Sequence, residues 1–346
     1  MESVEDVSNK NSNYECPICQ SYNVEKIYSN YPGYVDGTSY DIFKCNNCIT
    51  EFILAPGTSE EVYNAIYNLQ CVPAYDRYKK YAKSLIYEKE PFKFLSKQEF
   101  AYEAVYNYLN DKKEKVKSIL EVGTGLGYLT YALNKTGYST LGIDISETSV
   151  RNAINLFGSF YKAISLEKLS SSSQQKFDLI VMTEVIEHVN NPLGLISGCL
   201  PLLNETGVIL LTTPHYYNVN KVWETELPPV HRFWFSKKSF QTISKSLGLK
   251  VDFIFPDKGC FNFNHSNLLV NFIIDKHFSN KLPKLPTSTL TSDLRGCVET
   301  NYHIGFFKST MKRVATSKTV CYLSNMFYFK FIHKKEEGCF AIILKK

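Results

Sequence analysis

The stretch "SILEVGTGLGYLT" (118–130) constrains this chain more than any other. A short apolar run leads into glycines at every second position (Gly123, Gly125, Gly127), and a helical pattern follows as far as Gly137. A second apolar run, "STLGIDI" (139–145), then carries Asp144 at its end. Two apolar strands joined by a helix pair in parallel, because the crossover returns the chain to its starting side. The alternation continues. "SETSVRNAINLFG" reads as a helix capped by Ser146, "SFYKAI" as a weak strand, "FDLIVM" as a buried strand and "NPLGLISGCLPLLNETG" as a helix. "GVILLTTP", "KVDFIF" and the terminal "CFAIILKK" are further strands, with a helix through "SKKSFQTISKSLGL". Continuous apolar strands alternating with helices predict an α/β fold, a doubly wound and mostly parallel sheet.

Ligands of such sheets sit at the carboxyl ends of the strands. Gly123 and Gly125 permit positive φ and a close backbone approach, and Gly127 lets the helix pack on the sheet. Asp144 lies where a carboxylate can accept both hydroxyls of a ribose. The loop reads E-x-G-x-G-x-G rather than the G-x-G-x-x-G of dinucleotide sites. Its leading Glu121 suits an ammonium and would repel a pyrophosphate. An adenosine-type ligand with an amino-acid part follows.

Composition sets limits around this. The chain has 346 residues, enough for one large domain and a small one, and its net charge of +5 is too weak to argue for nucleic acid. No apolar run is long enough to span a membrane, and "MESVEDVSNKNSNYE" has no secretory pattern. Ten cysteines without an export signal suit a reducing compartment, so the cytoplasm is expected. Four of them, Cys16, Cys19, Cys45 and Cys48, form two C-x2-C pairs around a 25-residue spacer that leaves room for a hairpin through "YPGYVDG". Four thiolates and no vacant position predict a closed, structural zinc site. The expected organisation is a zinc ribbon over 1–55, a tyrosine-rich helical linker over 56–115, a catalytic domain over 116–256 and 338–346, and an insertion over 257–337.

The loop and Asp144 together resemble the class I S-adenosylmethionine-dependent methyltransferases, with a seven-stranded Rossmann-like sheet implied. The resemblance assigns the cofactor to Glu121, Gly123, Thr124, Gly125, Gly127, Asp144, Ile145 and Glu184, with Ser165 or Glu167 standing in for the usual adenine-side acid. The ribbon and the "P…Y…Y" linker also resemble methyltransferases acting on sugars of polysaccharides or glycosylated products. That resemblance implies a sugar or sugar-nucleotide acceptor methylated on oxygen, or alternatively on carbon.

"TEVIEHVNNP" (183–192) places Glu184, Glu187 and His188 at the end of an apolar strand. On a helical turn the three converge on one spot. His188 and His231, with Glu187, are the candidate catalytic groups, and His215 is a further histidine near a strand end. Adding His231 also gives a divalent-metal set of Glu184, Glu187, His188 and His231. This arrangement resembles the metal-dependent enzymes that methylate the terminal 2′-hydroxyl of small RNAs, and the E-x-x-E-H resembles that of quinone-pathway O-methyltransferases. The plain alternative leaves Glu184 lining the cofactor pocket and the other two bonded to loops. The insertion suits a cap over the acceptor or a surface for homo-oligomers, and its aromatic, Lys-flanked segment 320–335 suits a membrane surface. A non-catalytic scaffold built on the ribbon is the remaining reading.

Overall fold

The computed structural model describes residues 14–35, 37–59, 62, 76–112, 114–215, 227–256 and 338–346. The expected insertion over 257–337, the helix start in "PGTSEEVYNAIYN" beyond residue 59, and Cys71, Cys260, Cys297 and Cys321 lie outside the described residues, Val62 apart.

Three strands come first: β1 (Val24–Pro32), β2 (Ser39–Cys45) and β3 (Glu51–Ile53). Helices α1 (Asp76–Leu85), α2 (Pro91–Ser96) and α3 (Phe100–Asp111) follow. The alternation then runs β4 (Ser118–Val122), α4 (Tyr128–Lys135), β5 (Ser139–Asp144), α5 (Glu147–Phe157), β6 (Tyr161–Ala163) and α6 (Leu166–Ser172). It continues through β7 (Phe177–Thr183), α7 (Pro192–Cys199), β8 (Leu203–His215), β9 (Phe233–Trp234), α8 (Lys237–Ser246), β10 (Lys250–Ile254) and β11 (Gly338–Lys345).

The large sheet has seven strands in the order β10-β11-β8-β7-β4-β5-β6. β4 to β8 pair in parallel, and β11 runs antiparallel to both neighbours. The doubly wound architecture expected from the alternation is the one observed. Strand order turns back at β4, which has β5 on one side and β7 on the other. The crevice at the carboxyl ends of β4 and β7 is therefore the switch point where such sheets bind ligands.

One expected helix is shorter than its pattern. The helix from Pro192 ends at Cys199, a 3₁₀ turn covers Leu200–Leu202, and β8 begins at Leu203. Pro201 cannot donate to a continuing helix and its ring clashes with the preceding turn, so "LNETG" joins the strand.

Two apolar layers cover the sheet. On one face, Phe92, Leu95, Tyr102, Val105 and Leu109 of α2 and α3 share a buried cluster with Ile119, Leu179, Val181 and Leu210 of the strands. These helices of the expected linker pack against the sheet. On the other face, Cys16, Ile18, Phe43, Cys45, Cys48 and Phe52 of the ribbon belong to one cluster with Phe233, Phe235, Phe240, Ile342 and Phe340. The ribbon sheet has the order β1-β2-β3-β9, so its fourth strand comes from the crossover after β8. The ribbon and the α/β part of the chain share a sheet as well as a core.

Candidate functional site

The glycine loop springs from the buried end of β4. Gly123, Gly125 and Gly127 all have positive φ, at 77°, 51° and 81°. A Cβ on Gly123 would lie 2.6 Å from Val185 Cγ2, and one on Gly127 would lie 2.6 Å from Ala153 Cβ and 2.8 Å from the Tyr161 ring. Gly125 instead faces open space, with nothing within 4 Å of the position a Cβ would take. Gly123 and Gly127 are needed for packing, and Gly125 leaves room for a ligand.

Asp144 ties the loop to the second strand. Its Oδ2 accepts from the Gly125 N–H at 2.9 Å and its Oδ1 from the Ser146 N–H at 2.9 Å. Burial raises its pKa, and these amide bonds oppose the shift. Each carboxylate oxygen accepts more than one hydrogen bond, so lone pairs remain for hydroxyls. Beside it, Ile145 is 79% exposed, an apolar flank at the strand end. The Ile164 N–H donates to the Asp144 carbonyl, which brings Ser165 to the same rim. Ser165 caps α6 there, accepting from the Lys168 N–H at 3.3 Å. Thr124 Oγ1 donates to Glu121 Oε2 at 3.0 Å and Thr130 Oγ1 does so at 2.5 Å. Glu121 is buried, and that burial pushes its pKa up to about 7.

The strand-end cluster after β7 is divided. Glu184 takes a left-handed φ of 54°, a strained choice for a side chain with a Cβ and one that concentrates at functional sites. Its Oε1 accepts from Thr212 Oγ1 at 3.0 Å and from Cys339 Sγ at 3.1 Å, and burial raises its pKa. Glu187, His188 and His231 form a separate group whose ligand atoms all lie within 4.8 Å of one another, and Glu184 is not in it. The expected four-residue metal set is therefore corrected to three. The left-handed kink at Glu184 breaks the helical turn that would have aligned it with Glu187 and His188.

Within the triad, Glu187 and His188 are each held from behind. Thr213 Oγ1 donates to Glu187 Oε2 at 3.0 Å. His188 Nδ1 lies 2.9 Å from the Val230 carbonyl. A carbonyl only accepts, so Nδ1 carries the proton and Nε2 presents a lone pair. That lone pair lies 3.7 Å from Glu187 Oε1, acceptor facing acceptor. His231 packs its ring edge-on to His188, with centroids 4.5 Å apart, and its Nδ1 is buried with no hydrogen-bond partner. Burial pushes the His188 pKa down to about 4; burial, then the neighbouring His188, lowers that of His231 too. Both imidazoles are neutral at physiological pH, the form that binds a cation or takes a proton. His215, by contrast, packs its ring against Phe255 and Phe340.

The four ribbon cysteines converge as their spacing requires. Cys16 Sγ and Cys48 Sγ are 3.5 Å apart, as are Cys19 Sγ and Cys45 Sγ, and all four sulfurs lie within 4.8 Å. A tetrahedral zinc with bonds of 2.3 Å sets its sulfurs about 3.8 Å apart, so the cluster fits that ion. The two knuckles are built alike. The Gln20 N–H donates to the Cys16 carbonyl and the Ile49 N–H to the Cys45 carbonyl, each at 2.9 Å and each with left-handed φ. The hydrogen bond from Cys16 holds the Cys48 thiol down to about 5 and raises Cys16 in turn.

Sequence reasoning missed the supporting shell: Thr130 behind Glu121, Thr212 and Thr213 behind the two glutamates, and the Val230 carbonyl behind His188. The polar pair "TTP" ending the buried strand β8 was the available signal, since buried hydroxyls need partners.

A mostly parallel sheet in this order, with the glycine loop after β4 and an acid ending β5, is the arrangement that the resemblance to class I methyltransferases implies. In agreement, residues 94–252 match the family model described as a methyltransferase domain. The chain is 33% identical over 119 residues to the ubiquinone biosynthesis O-methyltransferase of Haemophilus ducreyi, covering 31% of this chain and 50% of that one. It is 33% identical over 149 residues to the mitochondrial enzyme of the same name from Rattus norvegicus, covering 40% and 41%. The chain thus spans about half or less of the length of these curated relatives. A methyltransferase structure from Archaeoglobus fulgidus superposes with a TM-score of 0.42 at 17% identity, covering 70% of this chain and 94% of that one, and adds nothing to the strand order above. Among the described residues, no helix is long and apolar enough to cross a membrane.

Proposed function

We propose that this protein transfers a methyl group from S-adenosylmethionine to a hydroxyl oxygen of a small acceptor. The observation that carries the reading is the open face of Gly125, set between Asp144 and the buried Glu187–His188–His231 triad at the next strand end. When bound, the cofactor supplies an activated methyl on sulfonium. The chain's part is to hold that group in line with the acceptor and to help the hydroxyl proton leave. Asp144 and the loop amides orient the ribose end, Ile145 and Ser165 border the adenine, and Glu121 with Glu184 furnishes negative charge near the sulfonium and ammonium.

The triad serves the acceptor. The ligand atoms of Glu187, His188 and His231 lie within 4.8 Å of one another, and one carboxylate with two imidazoles suits a divalent cation of intermediate hardness. Such an ion would acidify an acceptor hydroxyl. The ribbon is proposed to hold a structural zinc. The relatives' names speak for O-methylation of a quinone precursor, and none of those names contains a sugar or an RNA. The sugar-containing acceptor and the RNA 2′-hydroxyl rest on the sequence resemblance alone, and the acceptor is proposed here only as a hydroxyl-bearing small molecule. Isothermal titration with S-adenosylhomocysteine tests the cofactor reading: binding is expected, weakened about thirtyfold by Asp144→Ala. No binding would refute it.

A further inference from the structure

The segment that carries His231 is held from two sides. Toward the catalytic domain, the Arg232 N–H donates to the Glu187 carbonyl at 2.9 Å, and the Val230 carbonyl meets His188 Nδ1 at 2.9 Å. Toward the ribbon, the Ile53 N–H donates to the Arg232 carbonyl at 3.0 Å, and β9 pairs Phe233 with Phe52 and Trp234 with Glu51. The Arg232 guanidinium donates to the carbonyls of Pro56 at 2.8 Å and Ala55 at 2.5 Å. Just beyond, Thr50 Oγ1 donates to Ser239 Oγ at 2.8 Å, and Ser239 Oγ donates to the carbonyl of Cys48 at 3.3 Å. Thr50 Oγ1 in turn lies 3.2 Å from Cys48 Sγ. From Cys48 to His231 there is an unbroken path of backbone pairing and buried hydrogen bonds.

We propose that the four-cysteine site is a positioning element for the acceptor-side triad, so that the metal held by Cys16, Cys19, Cys45 and Cys48 fixes His231 against Glu187 and His188. Two residues link the knuckle at Cys48 to β3, and two more pairings carry that order to Phe233. Tyr31, Tyr34, Ile42 and Ile53 of the ribbon share a buried cluster with Leu227, Val230 and Trp234 on either side of His231, and without its ion the Cys48 knuckle loses the tie that sets where β3 begins. The cofactor loop lies outside this path: Gly123 and Thr124 bond to Ile143, and Gly125 to Asp144. Loss of the ribbon metal therefore disorders the acceptor half and spares the cofactor half. The inference rests on the acceptor-side role proposed for the triad, and its test is separable from that role.

Hydrogen exchange by mass spectrometry, on the full chain before and after removal of the cysteine-bound metal, reads the coupling directly. The amides of 230–234 and 51–53 are expected to exchange at least tenfold faster, with 118–124 and 139–144 unchanged and S-adenosylhomocysteine affinity held within about twofold. Unchanged exchange at 230–234 would overturn the proposal, as would equal loss of protection at 118–124, which marks general unfolding. Arg232→Met supplies a variant with all four thiols intact. It is expected to keep its ribbon metal yet bind Mn²⁺ at the triad at least tenfold more weakly than the unaltered protein, and equal Mn²⁺ affinity would count against the coupling. Failure of the unaltered protein to bind Mn²⁺ would refute the acceptor-side cation instead, and the exchange result then decides the coupling alone.

Discussion

The two halves of the site are built from different lengths of chain. On the cofactor side, the bond from Gly125 to Asp144 spans 19 residues, and those from Thr124 and Thr130 to Glu121 span 3 and 9. On the acceptor side, His188 meets Val230 across 42 residues, Thr213 meets Glu187 across 26, and Arg232 reaches Pro56 across 176. Apart from Glu184, which Thr212 and Cys339 hold from 28 and 155 residues away, the first half is one βαβ unit. The other exists only when the crossover, the ribbon and the end of β7 have all docked. The cofactor half should therefore tolerate damage to the ribbon, and the acceptor half should not.

The largest expected effect breaks the cofactor half at its base. Gly127→Ala forces a Cβ against Ala153 and Tyr161 and strains a φ of 81°, at a cost of about 3–5 kcal/mol in urea unfolding. The equivalent change at Gly125, which has the same handedness but an open face, should destabilise the fold by about 1–2 kcal/mol, the strain alone. Equal costs at the two positions would remove the distinction between packing and ligand space.

Next comes the acceptor half. His231→Asn removes one of the three proposed cation ligands and is expected to lower the rate of methyl transfer by roughly 10²-fold, with cofactor affinity unchanged. Parallel losses in both would mean that the halves are not separate. Smaller still is Asp144→Ala, which removes the acceptor of the Gly125 and Ser146 amides and, on the proposed reading, of ribose hydroxyls. A cost of about 2 kcal/mol in S-adenosylhomocysteine binding follows, or about thirtyfold.

This contrast also explains what was legible in the sequence. The strands, the loop and Asp144 announce themselves because each is a contiguous pattern with its own period. The C-x2-C pairs do so because two such knuckles bring four thiols to one place. Glu184 misled the helical-turn expectation because a left-handed φ leaves no mark in spacing. The joining of β9 to the ribbon left none either: "HRFWFS" is too short for alternation to register, and pairing partners nearly two hundred residues away are chosen by burial of Phe52 and Phe233 in the shared core. That fourth strand joins the ribbon sheet to the crossover that carries His231.

The smallest effect is a pH dependence of stability. The folded Glu121 carboxyl titrates near 7, well above its ordinary value, so between about pH 4.5 and 7 the native state binds more protons than the unfolded chain. That contribution is fully present below pH 4.5 and is lost as pH rises to about 7. The cofactor-free protein should lose about 1 kcal/mol from this group between pH 5 and 6, and Glu121→Gln should abolish that slope in urea titrations at the two pH values. An unchanged slope would show that Glu121 is not protonated in its pocket.

The central claim is that one crevice has a self-sufficient cofactor half and a separately assembled acceptor half. Calorimetric titration of S-adenosylhomocysteine into the unaltered protein, Asp144→Ala and His231→Asn tests it in one series. Binding by the first, about thirtyfold weaker binding by the second and unchanged binding by the third are expected. No binding by the unaltered protein, or an Asp144→Ala variant as tight as its parent, would contradict it.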